Sequence, residues 1–123
     1  MTRKKILIVE DRPEIRKLVA MAIRELPYEL IEAESGDAGL LAVSKHRPDL
    51  VLLDVMMPGQ LDGLSVCRAI KADPALACIP VLLVTALAQE SDIEQGREAG
   101  ADDYLVKPFS LVKLKELINY FVG

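Results

Sequence analysis

The sequence predicts a single α/β domain built on a doubly wound, five-stranded parallel sheet with helices on both faces. Short apolar runs alternate with helix-length amphipathic segments five times along the chain, a pattern typical of buried parallel strands joined by crossover helices. No linker, repeat or low-complexity segment interrupts it. With 123 residues the chain is long enough for one domain with a hydrophobic core, and we expect residues 1–123 to form that domain.

The first strand and helix are the most clearly marked. Residues 6–9 form the first apolar run, and Pro13 favours a helix start shortly after it. Pro27 ends the helix. One helical face of this segment carries apolar residues at the expected spacing, namely Ile15, Leu18, Val19, Ala22, Ile23 and Leu26.

The second βα unit begins with a charged strand. Residues 28–34 mix apolar and acidic side chains, which predicts an edge strand protected against pairing with other chains. Ser35 can cap a second helix that ends at about His46. A charge on His46 would suit the dipole at that helix end, so we assign it a surface role.

The third and fifth units have well-anchored helices. Residues 50–53 form the third strand, a loop covers 57–63, and Val66, Cys67 and Ile70 mark the inner side of the helix that follows. The fifth strand, 104–106, precedes Ser110, which can cap the last helix. The inward positions predicted for that helix are Leu111, Leu114, Leu117, Ile118 and Phe121.

The fourth helix is the weakest element. It follows the strand at 81–84 and is expected at about 90–99, with Gly100 as its C-cap. Ile93 is its one large apolar residue, and Gly96 interrupts it. A helix anchored this poorly should be the easiest to shift.

Composition excludes several classes of function. The net charge of −4, with acids and bases interspersed, argues against a nucleic-acid surface. No apolar stretch approaches the ~20 residues of a membrane span, and the basic N-terminus lacks the apolar segment of a signal peptide. We therefore expect a cytoplasmic protein. Cys67 and Cys78 lack metal-ligand spacing and are expected to be buried or half-buried thiols in a reducing compartment.

Four of the apolar runs end in polar residues that should meet. The first ends at Glu10 and Asp11, the third at Asp54, the fourth at Thr85 and the fifth at Lys107. The carboxyl ends of parallel strands share one edge of the sheet, where ligands bind. Three acids, a hydroxyl and a lysine at one edge predict a site for a divalent cation and a phosphoryl group.

The chemistry of these groups fits that prediction. Crowded carboxylates repel one another unless a cation neutralises them, and Mg²⁺ (or Mn²⁺) prefers oxygen ligands. Asp11 and Asp54 are the expected direct ligands, and Glu10 could hold a coordinated water. Asp54 can also act as a nucleophile, while Lys107 and Thr85 would bind oxygens of the phosphoryl group.

Four segments together resemble the receiver domain of two-component response regulators, including the chemotaxis regulators. They are Ile-Leu-Ile-Val-Glu-Asp at 6–11, Leu-Leu-Asp-Val-Met-Met-Pro-Gly at 52–59, Leu-Leu-Val-Thr-Ala at 82–86 and Ala-Gly-Ala-Asp-Asp-Tyr-Leu-Val-Lys-Pro-Phe at 99–109. The resemblance extends from Lys5 to Phe121. It implies a flavodoxin-like three-layer sandwich with strand order 2-1-3-4-5.

The resemblance also implies residue roles at the acidic site. Asp54 matches the aspartate that receives a phosphoryl group from the phosphohistidine of a sensor histidine kinase or histidine phosphotransfer protein, or from a small acyl phosphate. Glu10, Asp11, Asp54 and the backbone carbonyl of Met56 match the magnesium ligands. Such a domain is not a turnover enzyme, although it catalyses its own phosphorylation and slow autodephosphorylation.

The remaining matches concern the response to phosphorylation. Thr85, Ala86 and Lys107 match residues around the phosphoryl group, and Thr85 and Tyr104 match a switch pair that alters the surface of helix 4, strand 5 and helix 5. The Lys107–Pro108 bond is expected to be cis. The altered surface would serve an unknown output partner, a missing C-terminal effector domain or a second copy of the chain.

Two segments depart from the family pattern. The loop 57–63 is one residue longer than the common form, around Gln60 and Leu61. The last helix ends in residues 119–122 without the arginines common in receivers that dimerise to bind DNA, which weakens the case for a homodimer.

Three other functions remain open at this point. An aspartate-nucleophile phosphohydrolase would place a second Asp where Met56 stands. A nucleotide-binding domain would need a glycine-rich loop after the first strand, where Glu10 and Asp11 stand. A receiver-like interaction module that is never phosphorylated would not need the intact set of site residues.

Overall fold

Five strands alternate with five helices in the computed structural model, which describes residues 3–57 and 61–123. The strands are β1 (Lys4–Val9), β2 (Tyr28–Ala33), β3 (Leu50–Leu53), β4 (Val81–Thr85) and β5 (Asp103–Val106). The helices are α1 (Pro13–Arg24), α2 (Gly36–His46), α3 (Gly63–Ala72), α4 (Glu90–Glu98) and α5 (Leu111–Val122). The predicted βα alternation is confirmed.

All strand pairs of the sheet are parallel, in the order β2-β1-β3-β4-β5. The predicted fold class and strand order are therefore confirmed, and the charged strand β2 lies at an edge as expected. Strand β1 lies between β2 and β3, with Val9 paired to Ala33 on one side and Leu53 on the other. The ends of β1 and β3 therefore lie side by side at one edge of the sheet.

Alternate residues of the central strands supply two cores on opposite faces of the sheet. Leu7, Val9, Val51 and Leu53 belong to the core beneath α2 and α3. Ile6, Ile8, Leu50 and Leu52 belong to the core beneath α1 and α5. Such strands have no polar face, because helices cover both sides of the sheet.

Helix ends follow the chemistry of their capping residues. The Ser35 side chain accepts a hydrogen bond from the Ala38 amide at 3.1 Å, and the Ser110 side chain accepts one from the Lys113 amide at 3.0 Å. Both predicted caps are thus confirmed. Gly100 follows α4 with φ of +94°, a left-handed conformation that glycine adopts without steric cost.

Leu18 is a correction to the predicted apolar face of α1, because its side chain is exposed. Successive helix residues are about 100° apart, so Ile15, Val19 and Ile23 cluster on one side while Leu18 falls beyond its margin. Arg16 lies inside the other margin, and its side chain is only 17% exposed. The buried stripe of α1 therefore includes a charged residue.

The two thiols also differ from the prediction. Cys67 is buried on α3 as expected, whereas Cys78 is exposed. Cys78 lies in the connection between α3 and β4, whose core contacts are made by Leu76 and Ile79 and not by the thiol between them. In the described ranges, no helix combines the length and apolar character that a membrane crossing requires. The predicted long loop falls partly on residues 58–60, which lie outside the described residues.

Candidate functional site

Backbone hydrogen bonds bring the ends of β1 and β3 into register at the edge of the sheet. The Glu10 amide donates to the Ala33 carbonyl at 3.0 Å, and the Asp54 amide donates to the Val9 carbonyl at 3.0 Å. The sheet therefore fixes both main-chain positions one residue beyond the strands. Their side chains are almost completely buried, with 1% of Glu10 and 4% of Asp54 exposed.

Three carboxylates meet at this edge. One oxygen each of Glu10, Asp11 and Asp54 lies within 4.8 Å of the other two. Asp11 is half-buried, whereas the other two are buried. The Met56 amide donates to Asp54 Oδ1 at 3.2 Å, so the peptide after Val55 folds back over the carboxylate. The predicted meeting of these three acids is confirmed.

Lys107 places its ammonium group among the acids, and its side chain is 13% exposed. The Lys107 Nζ atom lies 2.5 Å from Glu10 Oε1 and 3.4 Å from Asp54 Oδ2. Lysine thus contacts Glu10 more closely than Asp54. The Lys107 amide donates to the Thr85 carbonyl at 2.8 Å, and the Lys107–Pro108 bond is cis.

Thr85 and Tyr104 are linked through Leu87 in the segment between β4 and α4. The buried Thr85 hydroxyl accepts a hydrogen bond from the Leu87 amide at 3.3 Å. The Tyr104 hydroxyl donates to the Leu87 carbonyl at 2.8 Å. Burial, and secondly the charge of Asp92, raises the pKa of Tyr104, so its hydroxyl stays protonated as that donor.

Two further predicted residues lie at the rim. Ala86 is exposed directly after β4. The Met56 side chain is 62% exposed, and the role expected for its backbone carbonyl as a metal ligand stays a prediction. Beside the acids is an open hollow of about 580 Å³, lined by Val55, Met56, Met57, Asp62, Leu64 and Leu87. The hollow is mostly apolar, and Asp62 Oδ1 is engaged by the Ser65 amide at 2.8 Å.

The electrostatics of the acids favour a divalent cation. Burial raises the pKa of Glu10, and Lys107 opposes this while Asp54 adds to it. Burial and the neighbouring Glu10 raise the pKa of Asp11. Three carboxylates against one ammonium leave two negative charges in a confined site, which one divalent cation would balance. Oxygen ligands of this kind suit Mg²⁺ or Mn²⁺. The donor set therefore fits the metal that the sequence predicted.

Arg16 is a site neighbour that the sequence prediction missed. Its Nη1 atom donates to the Glu10 main-chain carbonyl at 2.8 Å, and its Nε atom donates to Glu32 Oε1 at 3.2 Å. The available signal was a charged residue one turn into α1, at the margin of the apolar face. Its acceptor is a backbone carbonyl, which no residue-type pattern marks.

Sequence and structure comparisons place the chain in a family. A sequence model of the response regulator receiver domain matches residues 6–119. The phosphate regulon transcriptional regulatory protein PhoB of Pseudomonas aeruginosa is 42% identical over 110 residues, which cover 89% of this chain and 48% of that protein. The chain spans about half the length of the curated relatives that it matches.

Solved structures agree with this relationship. The Vibrio cholerae chemotaxis protein CheY4 superposes with a TM-score of 0.90 at 28% identity, covering 98% of this chain and 99% of that one. The Mn²⁺-bound response regulator Rcp1 gives a TM-score of 0.88 at 28% identity, covering 98% and 95%. Together with the fold, these matches define a two-component signalling domain. The chain belongs to the response regulator receiver domain family.

Proposed function

We propose that Asp54 is the phosphoryl acceptor of this receiver domain, with Mg²⁺ as the required cation. The observation that carries the proposal is the convergence of Glu10, Asp11 and Asp54 with the ammonium group of Lys107. The donors are the phosphohistidine of a sensor histidine kinase or phosphotransfer protein, and small acyl phosphates. The domain has no turnover substrate of its own.

The transfer itself requires little covalent chemistry from the protein. An Asp54 oxygen forms a bond to phosphorus, while the bond from phosphorus to the donor nitrogen or oxygen breaks and the leaving group keeps its electron pair. When bound, the cation neutralises charge on the transferred oxygens. The backbone bonds at Val9 and Met56 orient the nucleophile, and Lys107 and Thr85 supply donors to the phosphoryl oxygens.

Lys107 must partly change partners for this role. Its ammonium group is nearer to Glu10 than to Asp54, and a phosphoryl group on Asp54 would add oxygens on the Asp54 side. Glu10 would then be released toward the cation. The same lysine can therefore hold the acids together before transfer and the product after it.

The response to phosphorylation would pass through Leu87. A Thr85 hydroxyl that turns toward the phosphoryl group loses its bond from the Leu87 amide. Tyr104 is bonded to the carbonyl of the same residue, so a shift of Leu87 frees or redirects the ring. Both changes alter the surface of α4, β5 and α5, which we assign to an output partner, a C-terminal effector domain or a second copy.

A phosphohydrolase is less well supported. Such an enzyme needs a general acid two residues after the nucleophile, and the side chain there is the exposed thioether of Met56. Met56 and Leu87 instead line one apolar hollow beside Asp54. Neither side chain can orient an attacking water, which favours a stable acyl phosphate over rapid turnover.

Intact mass spectrometry after incubation with acetyl phosphate and Mg²⁺ tests the proposal. The wild-type protein should gain one phosphoryl group, and Asp54→Asn should gain none because its amide is not a nucleophile. Asp37→Asn, at an exposed position in the first turn of α2, is the matched control and should behave as wild type. Omission of Mg²⁺ should abolish the gain in the wild type and in Asp37→Asn.

Two results would contradict the proposal. Phosphorylation of Asp54→Asn to the wild-type extent would place the acceptor elsewhere. A wild-type protein that takes no phosphoryl group and also fails to bind beryllofluoride would instead be an interaction module that is never phosphorylated.

A further inference from the structure

Arg16 contacts the main chain on both sides of Asp11, in residues 10–12, which we call the acidic loop. The Arg16 amide donates to the Arg12 carbonyl at 3.2 Å, closing the first turn of α1. Its guanidinium donates to the Glu10 carbonyl at 2.8 Å. The two main-chain acceptors are the residues immediately before and after Asp11. Both peptide neighbours of Asp11 are therefore tied to a single residue of the helix.

The Glu10 carbonyl lies beyond the end of the β-ladder. The pairing of β1 with both neighbouring strands ends at Val9, while the Glu10 amide still reaches Ala33. The strand pairing therefore supplies no hydrogen-bond donor for the Glu10 carbonyl. Arg16 supplies the donor, in a part-buried location where an unpaired carbonyl would be costly.

The guanidinium is itself oriented by the edge strand. Arg16 Nε donates to Glu32 Oε1 at 3.2 Å, and Glu32 pairs with Ile8 in the register of β1 and β2. A guanidinium can serve two acceptors in fixed directions because its donors form a planar fork. A lysine at the same position would offer one point charge without that geometry. Strand β2, helix α1 and the acidic loop are thus joined at one side chain.

The loop needs such support because its acids repel. Glu10 and Asp11 are adjacent in the chain and both lie within 4.8 Å of Asp54. Repulsion would drive Asp11, the more exposed of the pair, outward into solvent. The helical bond from the Arg16 amide fixes the Arg12 carbonyl whatever the side chain, whereas the bond to the Glu10 carbonyl requires the guanidinium. With both carbonyls held, the main chain on either side of Asp11 resists that outward movement.

We propose that Arg16 is a positioning residue, which fixes Asp11 and Glu10 in the arrangement that binds the divalent cation. The inference rests on the proposed function, since it assigns a cation to these acids. It concerns the hydrogen bonds that position Glu10 and Asp11, and it leaves the acceptor role of Asp54 unchanged. Partners that orient metal ligands typically change metal affinity or activity by 10- to 100-fold when removed.

The test is a calorimetric titration of the unphosphorylated protein with Mg²⁺. Arg16→Met keeps an apolar stem but has no donor, and it should weaken Mg²⁺ binding by about 10-fold. Arg16→Lys should fall close to Arg16→Met, because charge alone cannot serve two acceptors. Lys17→Met removes the same charge from an exposed neighbouring position of α1 and should stay within about twofold of wild type.

A kinetic comparison separates positioning from general damage. In phosphorylation by acetyl phosphate, the Mg²⁺ concentration for half-maximal rate should rise about 10-fold in Arg16→Met. The rate at saturating Mg²⁺ should fall by less than about threefold, because Asp54 and Lys107 remain in place. A loss of rate at saturation with unchanged half-saturation would overturn the proposal.

One further measurement needs no metal, and a second variant covers the case in which Arg16→Met does not fold. Amide hydrogen exchange of residues 10–12 should be faster in Arg16→Met than in Lys17→Met. If Arg16→Met fails to fold, Glu32→Gln leaves Arg16 intact and should weaken Mg²⁺ binding by about threefold through loss of the ion pair. Wild-type affinity in Arg16→Lys or in folded Arg16→Met would refute the role. A wild-type protein that binds Mg²⁺ but gains no phosphoryl group from acetyl phosphate would refute only the proposed function.

Discussion

Helices α3 and α4 begin at the same edge of the sheet and cover the same face, yet they are held very differently. Helix α3 buries Val66, Cys67 and Ile70 in the core. In α4, all of whose residues the structure describes, Gly96 is the one buried residue, and Ile93 is half-buried. One helix is therefore part of the core, and the other rests on its surface.

Polar contacts widen the difference. At the end of α3, Lys71 Nζ donates to the carbonyls of Ala77 and Ile79 at 3.1 and 2.7 Å, and lies 2.9 Å from Asp102 Oδ2. Asp102 also accepts from the Val81 amide at 2.8 Å. These contacts fasten α3 to the connection leading into β4 and to the residue preceding β5.

The ion pair of α4 joins two residues of the same helix and does not connect α4 to another element. Arg97 and Glu94 lie 2.7 Å apart on the same helix and are both exposed, so the pair adds little stability. A Cβ atom on Gly96 would lie 2.8 Å from Leu83 Cδ1, so the helix approaches the sheet closely through a residue with no side chain. Close approach without side-chain interlocking leaves α4 easier to displace. We therefore expect α4 to be displaced more easily than α3.

The largest expected effect concerns the two thiols near α3. Burial raises the pKa of the Cys67 thiol to about 11, with Lys71 opposing the shift. At pH 8 about one part in a thousand of such a thiol is thiolate, against roughly a quarter of an unperturbed one. We expect iodoacetamide to modify exposed Cys78 at least about 100-fold faster than Cys67.

The pH dependence gives the control for this prediction. Because burial disfavours the thiolate, the reaction of Cys67 through its folded form should keep accelerating up to about pH 11. Peptide mapping with Cys78→Ser isolates the slow site. Comparable rates at the two thiols in native protein would mean that α3 opens readily, and the comparison with α4 would fail.

A smaller effect is expected from matched truncations in the two helices. Ile70→Ala removes a fully buried side chain from α3 and should lower the free energy of unfolding by about 3 kcal/mol. Ile93→Ala removes a half-buried side chain from α4 and should lower it by about 1 kcal/mol. Urea denaturation with both variants measures the difference directly. Equal losses would show that α4 is anchored as firmly as α3.

The fold was predictable because its signals are local. Apolar runs, Pro13 and Pro27, and the capping serines mark element ends through the conformations and hydrogen bonds of single residues. The meeting of Glu10 and Asp54 followed from topology alone, since parallel strands end at a common edge. The weak anchoring of α4 could likewise be predicted from its composition.

The contacts that set the geometry of the site could not be predicted in the same way. The bond from Arg16 ends on a main-chain carbonyl, an acceptor that every residue carries. The closer approach of Lys107 to Glu10 than to Asp54 depends on side-chain length and rotamer within a packed site. The exposure of Leu18 depends on where the sheet centres the buried face of α1. Each is a property of the assembled fold, with no signature in local sequence.

The smallest effect is the most informative for signalling. Beryllofluoride with Mg²⁺ mimics a phosphoryl group on Asp54, and its addition should change amide hydrogen exchange by about threefold or more in residues 86–98. Exchange in α3 should change less, because Lys71 ties that helix to Asp102 irrespective of the bonds at Leu87. Asp54→Asn should show neither change. A response confined to α3, or spread equally over both helices, would mean that the weakly packed helix is not the element that Thr85 and Tyr104 control.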